Sequence, residues 1–367
     1  MRTTNRVKSL RQAAKHCGAL ASAAAIAFIT MACTSEDRPP PKQAVALAPM
    51  VAPPVAVRPF ERAADGYYWT LMAGQFEQLE RAAAEARAGN TAISDGQLVL
   101  AALYGGVAGC QTSACPNRWS AAQWAERRER LTAWGKAVPE SVTAEVAMAA
   151  SYIQEGWAIR GSGYANTVAP DAWEGFRRNI ALGLERLEAA RPAAKQDPGW
   201  HVAVLDVGLA QGWDAERFSA QYMAAVAAHP LYMPIYFTAS SYFAPRWRGS
   251  PGELRKFIES AVERTSTSMG ETLYARLNWS LRSDDMFTNG QADWQRFKSG
   301  FERIVADHPD PWNVNNFAKF ACIAGDPKTL AGLLTKIGNQ PVLAAWSGSA
   351  EYFAQCAAYA RGNAKGA

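Results

Sequence analysis

Apolar side chains return at every third or fourth position through most of this chain, from about residue 60 to its C-terminal end. In the segment that opens at Ser141, the residues Val142, Val146, Ala149, Ile153 and Trp157 recur at such steps and so line one face of a helix, and the spacing predicts a helix over 139–160. Alternating β-branched runs, the mark of strands, are scarce. Helix starts carry their own chemistry: an N-cap side chain accepts a hydrogen bond from an orphan backbone N–H, and Glu or Gln three residues later answers it. Ser94/Gln97, Ser120/Gln123, Asp171/Glu174 and Ser250/Glu253 have that spacing, while Asp197-Pro198, Asp310-Pro311 and Asp326-Pro327 join an Asp cap to Pro at the first helical position. Starts and periodic segments together predict about 12 to 14 helices joined by short turns. The expected fold class is all-α, built of stacked helical hairpins.

One passage sharpens the expectation. Trp213-Asp214 opens a segment with Phe218, Tyr222 and Ala225 on one face, which closes at His229-Pro230 and leads into Tyr232, Pro234, Tyr236 and Ala239. The passage resembles the helix–Pro–helix join of tetratricopeptide-type repeats. Phe301 through His308-Pro309 into Trp312, Asn313, Asn316, Phe317 and Ala318 repeats it, 79 residues on. That interval is about twice a unit of ~34 to 40 residues, so the expected solenoid is degenerate, or else a compact α-α superhelix.

The N-terminal region breaks the pattern. Residues 1–18 carry Arg2, Arg6, Lys8, Arg11 and Lys15 without an acidic residue, and residues 19–32 form an apolar run that ends at Cys33, the layout of a secretory signal. The run falls short of the ~20 apolar residues that a membrane-spanning helix needs. Thr30-Met31-Ala32-Cys33 resembles a lipobox, which makes Cys33 the expected lipidation site and residues 1–32 the expected signal peptide, although Thr30 stands where lipoboxes usually carry Leu. By resemblance to enterobacterial lipoprotein sorting rules, Thr34 after the cysteine in place of Asp implies the outer membrane, and the protein is expected in the cell envelope, lipid-anchored and facing the periplasm, with a soluble periplasmic form as the alternative. Seven prolines fall within residues 38–59. As an extended tether those residues reach roughly 70 Å. A single helical domain over 60–361 and a disordered tail over 362–367 complete the expected organisation.

Removing the signal changes the charge balance. Its five cations leave 33 of the 38 basic residues against 33 acidic ones, and a neutral body has no electrostatic footprint for nucleic acid. The body holds Cys110, Cys115, Cys322 and Cys356, an even number in an exported chain, which reads as disulfides. Three pairings are open. Cys110 with Cys115 would pin a loop, and Cys322 with Cys356 would staple the C-terminal hairpins. Cys-x4-Cys exceeds the usual zinc spacing and has no nearby His, so no metal site is expected, nor any cofactor.

Catalytic signatures are absent: the chain has no Gly-x-Ser-x-Gly, no His-Glu-x-x-His and no P-loop. His229 and His308 precede Pro at helix ends, where a cation suits the macrodipole, while His201 is less constrained. The most distinctive string runs from Trp157 to Val168, a helix end opening into Gly161-Ser162-Gly163. There Arg160 offers a fork for a carboxylate or phosphate, or else caps the helix and pairs internally. The thirteen tryptophans, all in the body, are either stacking surfaces or fillers between helices.

Phe76-Glu77-Gln78-Leu79-Glu80, Trp134 with Pro139-Glu140-Ser141, Arg160-Gly161-Ser162-Gly163-Tyr164-Ala165, Gln211-Gly212-Trp213, Pro245-Arg246-Trp247, residues 270–276 and Trp312-Asn313-Val314-Asn315 to Ala321-Cys322 together resemble the bacterial family called domain of unknown function 4034. The resemblance spans most of 60–337. It implies a tetratricopeptide-like helical body and supplies no catalytic residues. Function is therefore expected to be that of an interaction module for an envelope protein or peptide, on a groove lined by Arg160, Tyr164, Tyr236, Trp247, Asn313 and Asn315. The alternative is a glycan-active or other hydrolase using carboxylates such as Glu155, Asp206 or Asp214, which requires two carboxyls about 5 to 10 Å apart in a cleft.

Overall fold

A computed structural model of the chain describes residues 58–109, 119–281 and 285–364. The expected signal peptide, Cys33, the Pro-rich tether up to residue 57, Cys110 and Cys115 lie outside the described residues, as do residues 365–367. Among the described residues there are 15 α-helices and no β-strand. The fold class is all-α, with slightly more helices than the caps and periodicity suggested. None of these helices is long and apolar enough to cross a membrane.

The sequence suggested one body over 60–361; the contacts group the chain into two compact units. The larger, Pro59–Arg282, holds α1 (Pro59–Met72), α2 (Phe76–Gly89), α3 (Val99–Val107), α4 (Ala121–Ala137), α5 (Val142–Arg160), α6 (Pro170–Ala194), α7 (Pro198–Gln211), α8 (Ala215–Ala228), α9 (Met233–Phe243), α10 (Pro251–Arg264) and α11 (Glu271–Leu281). Neighbouring helices in the chain are mostly neighbours in space, and the closest association is α5 with α6. Their backbones approach because glycine sits where they cross: a Cβ on Gly183 would come within 2.6 Å of Ile153 Cγ1. In α7 nearly every residue is buried, Trp200, Leu205 and Val207 among them, so this helix forms the core around which its neighbours α5, α6, α8 and α9 pack.

The other unit contains Arg58 and residues 283–367, with α12 (Trp294–Asp307), α13 (Pro311–Ala324), α14 (Pro327–Ile337) and α15 (Ala350–Ala364). Helix α15 continues past residue 361, the expected end of the helical body. Phe297, Phe301 and Ile304 on one face of α12 are buried. Phe297 and Phe301 meet the rings of Phe317 and Phe320 on α13 at centroid distances of 4.9 to 5.6 Å. Cys322 and Cys356 form a disulfide, with Cα atoms 5.8 Å apart, that joins α13 to α15.

About half of the helix starts use the chemistry seen in the sequence. Ser120 and Gln123 form the full reciprocal capping box, and Ser141, Asp197, Asp214, Ser250, Asp310 and Asp326 each accept a backbone N–H at the start of a helix. Two expected caps differ. Ser94 precedes a turn, in which Asp95 accepts the N–H of Gln97 and Ala92 bridges Leu98, and α3 begins only at Val99. Asp171 lies inside the first turn of α6, whose start is set by Pro170 after the extended Ala169.

Candidate functional site

Five stretches of chain in the larger unit, Phe60 of α1 among them, line a cavity that is partly open to solvent. Its walls follow from helical spacing. Ala101, Gly105 and Ala108 line it from α3 and its C-terminal cap; Val146, Ala150, Ile153 and Gln154 line it from α5; Gly199, Val202, Ala203 and Asp206 line it from α7. Each set recurs at three- and four-residue steps and so presents one face of its helix. Tyr232, Met233, Pro234 and Phe237 close the fourth side. The space exists because so many inward positions carry Gly or Ala, where larger residues would have filled it.

Tyr104 belongs to the wall and is held by a buried polar cluster behind it. Its hydroxyl donates to Asp197 Oδ2 at 2.9 Å, and Arg87 on α2 donates to the same oxygen from Nε at 2.6 Å and to Thr143 Oγ1 at 2.6 Å. Burial, followed by the Asp197 charge, holds the Tyr104 pKa well above its ordinary value, so the hydroxyl keeps its proton. Gly199 is required beside it, since a Cβ there would lie 2.3 Å from the Tyr104 ring.

Asp206 is the one carboxyl among the residues that line the cavity. It is 1% exposed. Oδ1 accepts the indole N–H of Trp157 on α5 at 3.0 Å, and Oδ2 has no partner among the described residues. Burial pushes the pKa of this carboxyl up to about 7, against the lowering effect of the Trp157 hydrogen bond. Near neutrality Asp206 is therefore poised between a carboxylate and a neutral acid that donates.

Trp157 links this carboxyl to the Gly161-Ser162-Gly163 loop. Its ring meets Trp247 edge-on at 5.2 Å and Phe176 at 4.8 Å. Arg160, 7% exposed, places its guanidinium between the rings of Trp157, Trp173 and Trp247 at 5.1 to 5.7 Å and donates from Nη1 to the carbonyls of Gly161 and Gly163. Of the two roles open to Arg160 in the sequence, the capping one is realised, with aromatic faces in place of an internal carboxylate. Arg246 donates to Ser162 O at 2.6 Å and stacks under Tyr164, which is 67% exposed.

Of the six residues expected to line a groove, the structure brings together Arg160, Tyr164 and Trp247, through their shared contacts with Trp157 and Arg246. Tyr236 is fully buried and donates to Pro230 O, so it packs the interior between α8 and α9. Asn313 and Asn315 are buried in the smaller unit. Asn313 donates to His308 O; Asn315 donates to Pro311 O and accepts from Val342 N and from the Trp346 indole. Those amides are spent on turns and packing.

The other expected catalytic candidates are also engaged. Glu155 pairs with Arg128 at 2.6 Å, and Asp214 caps α8. Nε2 of His201 donates to Lys195 O at 3.0 Å, and Nδ1 accepts from Gln221 at 3.2 Å, so both ring nitrogens are occupied. Burial lowers the pKa of His201 and of His229, so His229 ends α8 as a neutral ring and not as the cation that the helix dipole would favour. No group of three metal-ligating side chains occurs among the described residues. No family model, curated protein or solved structure is significantly similar to the chain. Function has therefore to be argued from the cavity and its carboxyl.

Proposed function

We propose that this chain is a binding protein of the cell envelope whose receptor site, for a small and mostly apolar molecule, is the cavity between α3, α5, α7 and the start of α9. The observation that carries it is a carboxyl with one oxygen unpartnered among the described residues, in the wall of a mostly apolar cavity. Pockets for small molecules are concave, largely apolar and supplied with few polar groups that orient the occupant. A buried carboxyl with one oxygen unpaired costs stability, which a hydrogen-bonding ligand offsets. The envelope assignment is supported by the basic segment, the apolar run and Cys33 at the N-terminus; palmitate labelling that Cys33→Ala abolishes is its expected signature.

Two-carboxylate hydrolysis is the weaker alternative, because the cavity wall offers Asp206 alone while Glu155 and Asp214 are committed to Arg128 and to a helix cap. None of the six residues expected to line a protein- or peptide-binding groove lines this cavity, and a small-molecule receptor takes the place of that module. The test is titration of the full chain with medium-chain apolar molecules, followed by calorimetry and tryptophan fluorescence, Trp157 being the indole bonded to the cavity carboxyl. Saturable binding is expected, and Ala150→Phe with Ala203→Phe, which fill the space from two helices, should abolish it. Absence of saturable binding in the original chain, or undiminished binding in the filled variant, ends the proposal.

A further inference from the structure

Resting on that cavity, we infer that its ligand carries a hydrogen-bond acceptor, a ketone, ester or similar carbonyl oxygen, which accepts a proton-bearing bond from Oδ2 of neutral Asp206. Three features of the wall point to this chemistry. First, among the described residues no cationic side chain lines the cavity and Oδ2 itself has no partner, so a carboxylate there would be an uncompensated buried charge. Burial accordingly shifts Asp206 toward its protonated form, and a protonated carboxyl has one O–H to give. Second, Oδ1 is already satisfied by the Trp157 indole, which fixes the carboxyl's rotation and leaves Oδ2 as the donor atom.

Third, two of the other polar side chains around the space, which also include Gln154 and Tyr232, are spent. Tyr104 donates its hydroxyl to Asp197, and Gln97 donates from Nε2 to Asp95 at 2.8 Å. Asp206 is recessed, at 1% exposure. An amine would be the natural occupant if the carboxyl were ionised, and the experiment separates the two.

The full chain is titrated with octanone, nonane and octylamine, which match in length and differ in polar group. Octanone is expected to bind about tenfold more tightly than nonane, the equivalent of one hydrogen bond. Asp206→Asn, whose amide N–H can replace the acid O–H, should keep that preference, and Asp206→Leu should erase it. The carbonyl stretch of bound octanone should fall in frequency in the original chain and in the Asn variant. Should the Leu variant fail to fold, the Asn variant and the original chain still decide the matter. Equal binding of octanone and nonane would overturn the donor role while leaving the cavity as a receptor. Tightest binding of octylamine, lost in Asp206→Asn, would overturn it in favour of a carboxylate. Binding of none of the three would remove the receptor reading together with the inference.

Discussion

Asp206 shows what burial does to a single side chain. Its pKa of about 7 in the folded protein lies above the ~3.9 of an unfolded chain, so between those values the native state holds a proton that the unfolded state gives up. Stability from this group is therefore fully present below pH ~4 and is lost as pH rises through ~7, by an amount on the order of 4 kcal/mol. Asp206→Asn is expected to flatten that part of the pH dependence and to raise stability at pH ~8, measured by urea unfolding at a series of pH values. A stability slope between those pH values unchanged in the variant would show that Asp206 ionises freely. Asn315 is the opposite case, an amide with three satisfied bonds. Asn315→Leu strands the Trp346 indole and the Val342 N–H, and should cost about 3 kcal/mol in the same assay. The sequence named both residues, Asp206 among possible acids and Asn315 among groove residues. It could not tell their settings, because the partners of Asp206 and Asn315 stand 49 and 31 positions away.

At the scale of elements, legibility was high wherever the signal is local. Caps and periodicity located α4, α5, α7, α8, α10, α13 and α14 because an N-cap bond and an apolar stripe involve residues within a turn or two of one another. The failures at Ser94 and Asp171 have the same local form and lost to a stronger neighbour: an Asp95 turn in one case, Pro170 in the other. Asp326, which caps α14, does more than cap. Although its burial opposes ionisation, bonds from Thr329 and Trp294 and the charge of Lys298 hold its pKa down to about 2. A depressed carboxyl contributes stability above the unfolded value of ~3.9 and loses it as pH falls toward ~2. Asp326→Asn should therefore cost about 1 kcal/mol at pH 7 after screening of this partly exposed pair, and nothing near pH 2, by thermal unfolding at the two pH values. An equal loss at both would assign the effect to packing.

For the whole molecule, the disulfide offers the clearest test. Closing the loop between Cys322 and Cys356, 34 residues apart, contributes roughly 3 to 4 kcal/mol by the chain-entropy model. Cys322→Ser with Cys356→Ser should lower the denaturation midpoint of the unit that holds α12 to α15 and leave ligand binding in the other unit's cavity intact; coupled loss of both would contradict two separate cores. By itself the sequence determined the helical class, about half of the helix starts and the even set of cysteines, because periodicity, capping and composition are properties of short stretches of chain. Tertiary structure alone decided the division into two units, the pairing of Cys322 with Cys356 and the capture of Arg160 by three tryptophans. It also decided that α3, α5 and α7 turn their small residues toward one another around Asp206. A cavity and an unpartnered oxygen are made by the meeting of distant segments, and no local pattern encodes what will be missing from the space between them.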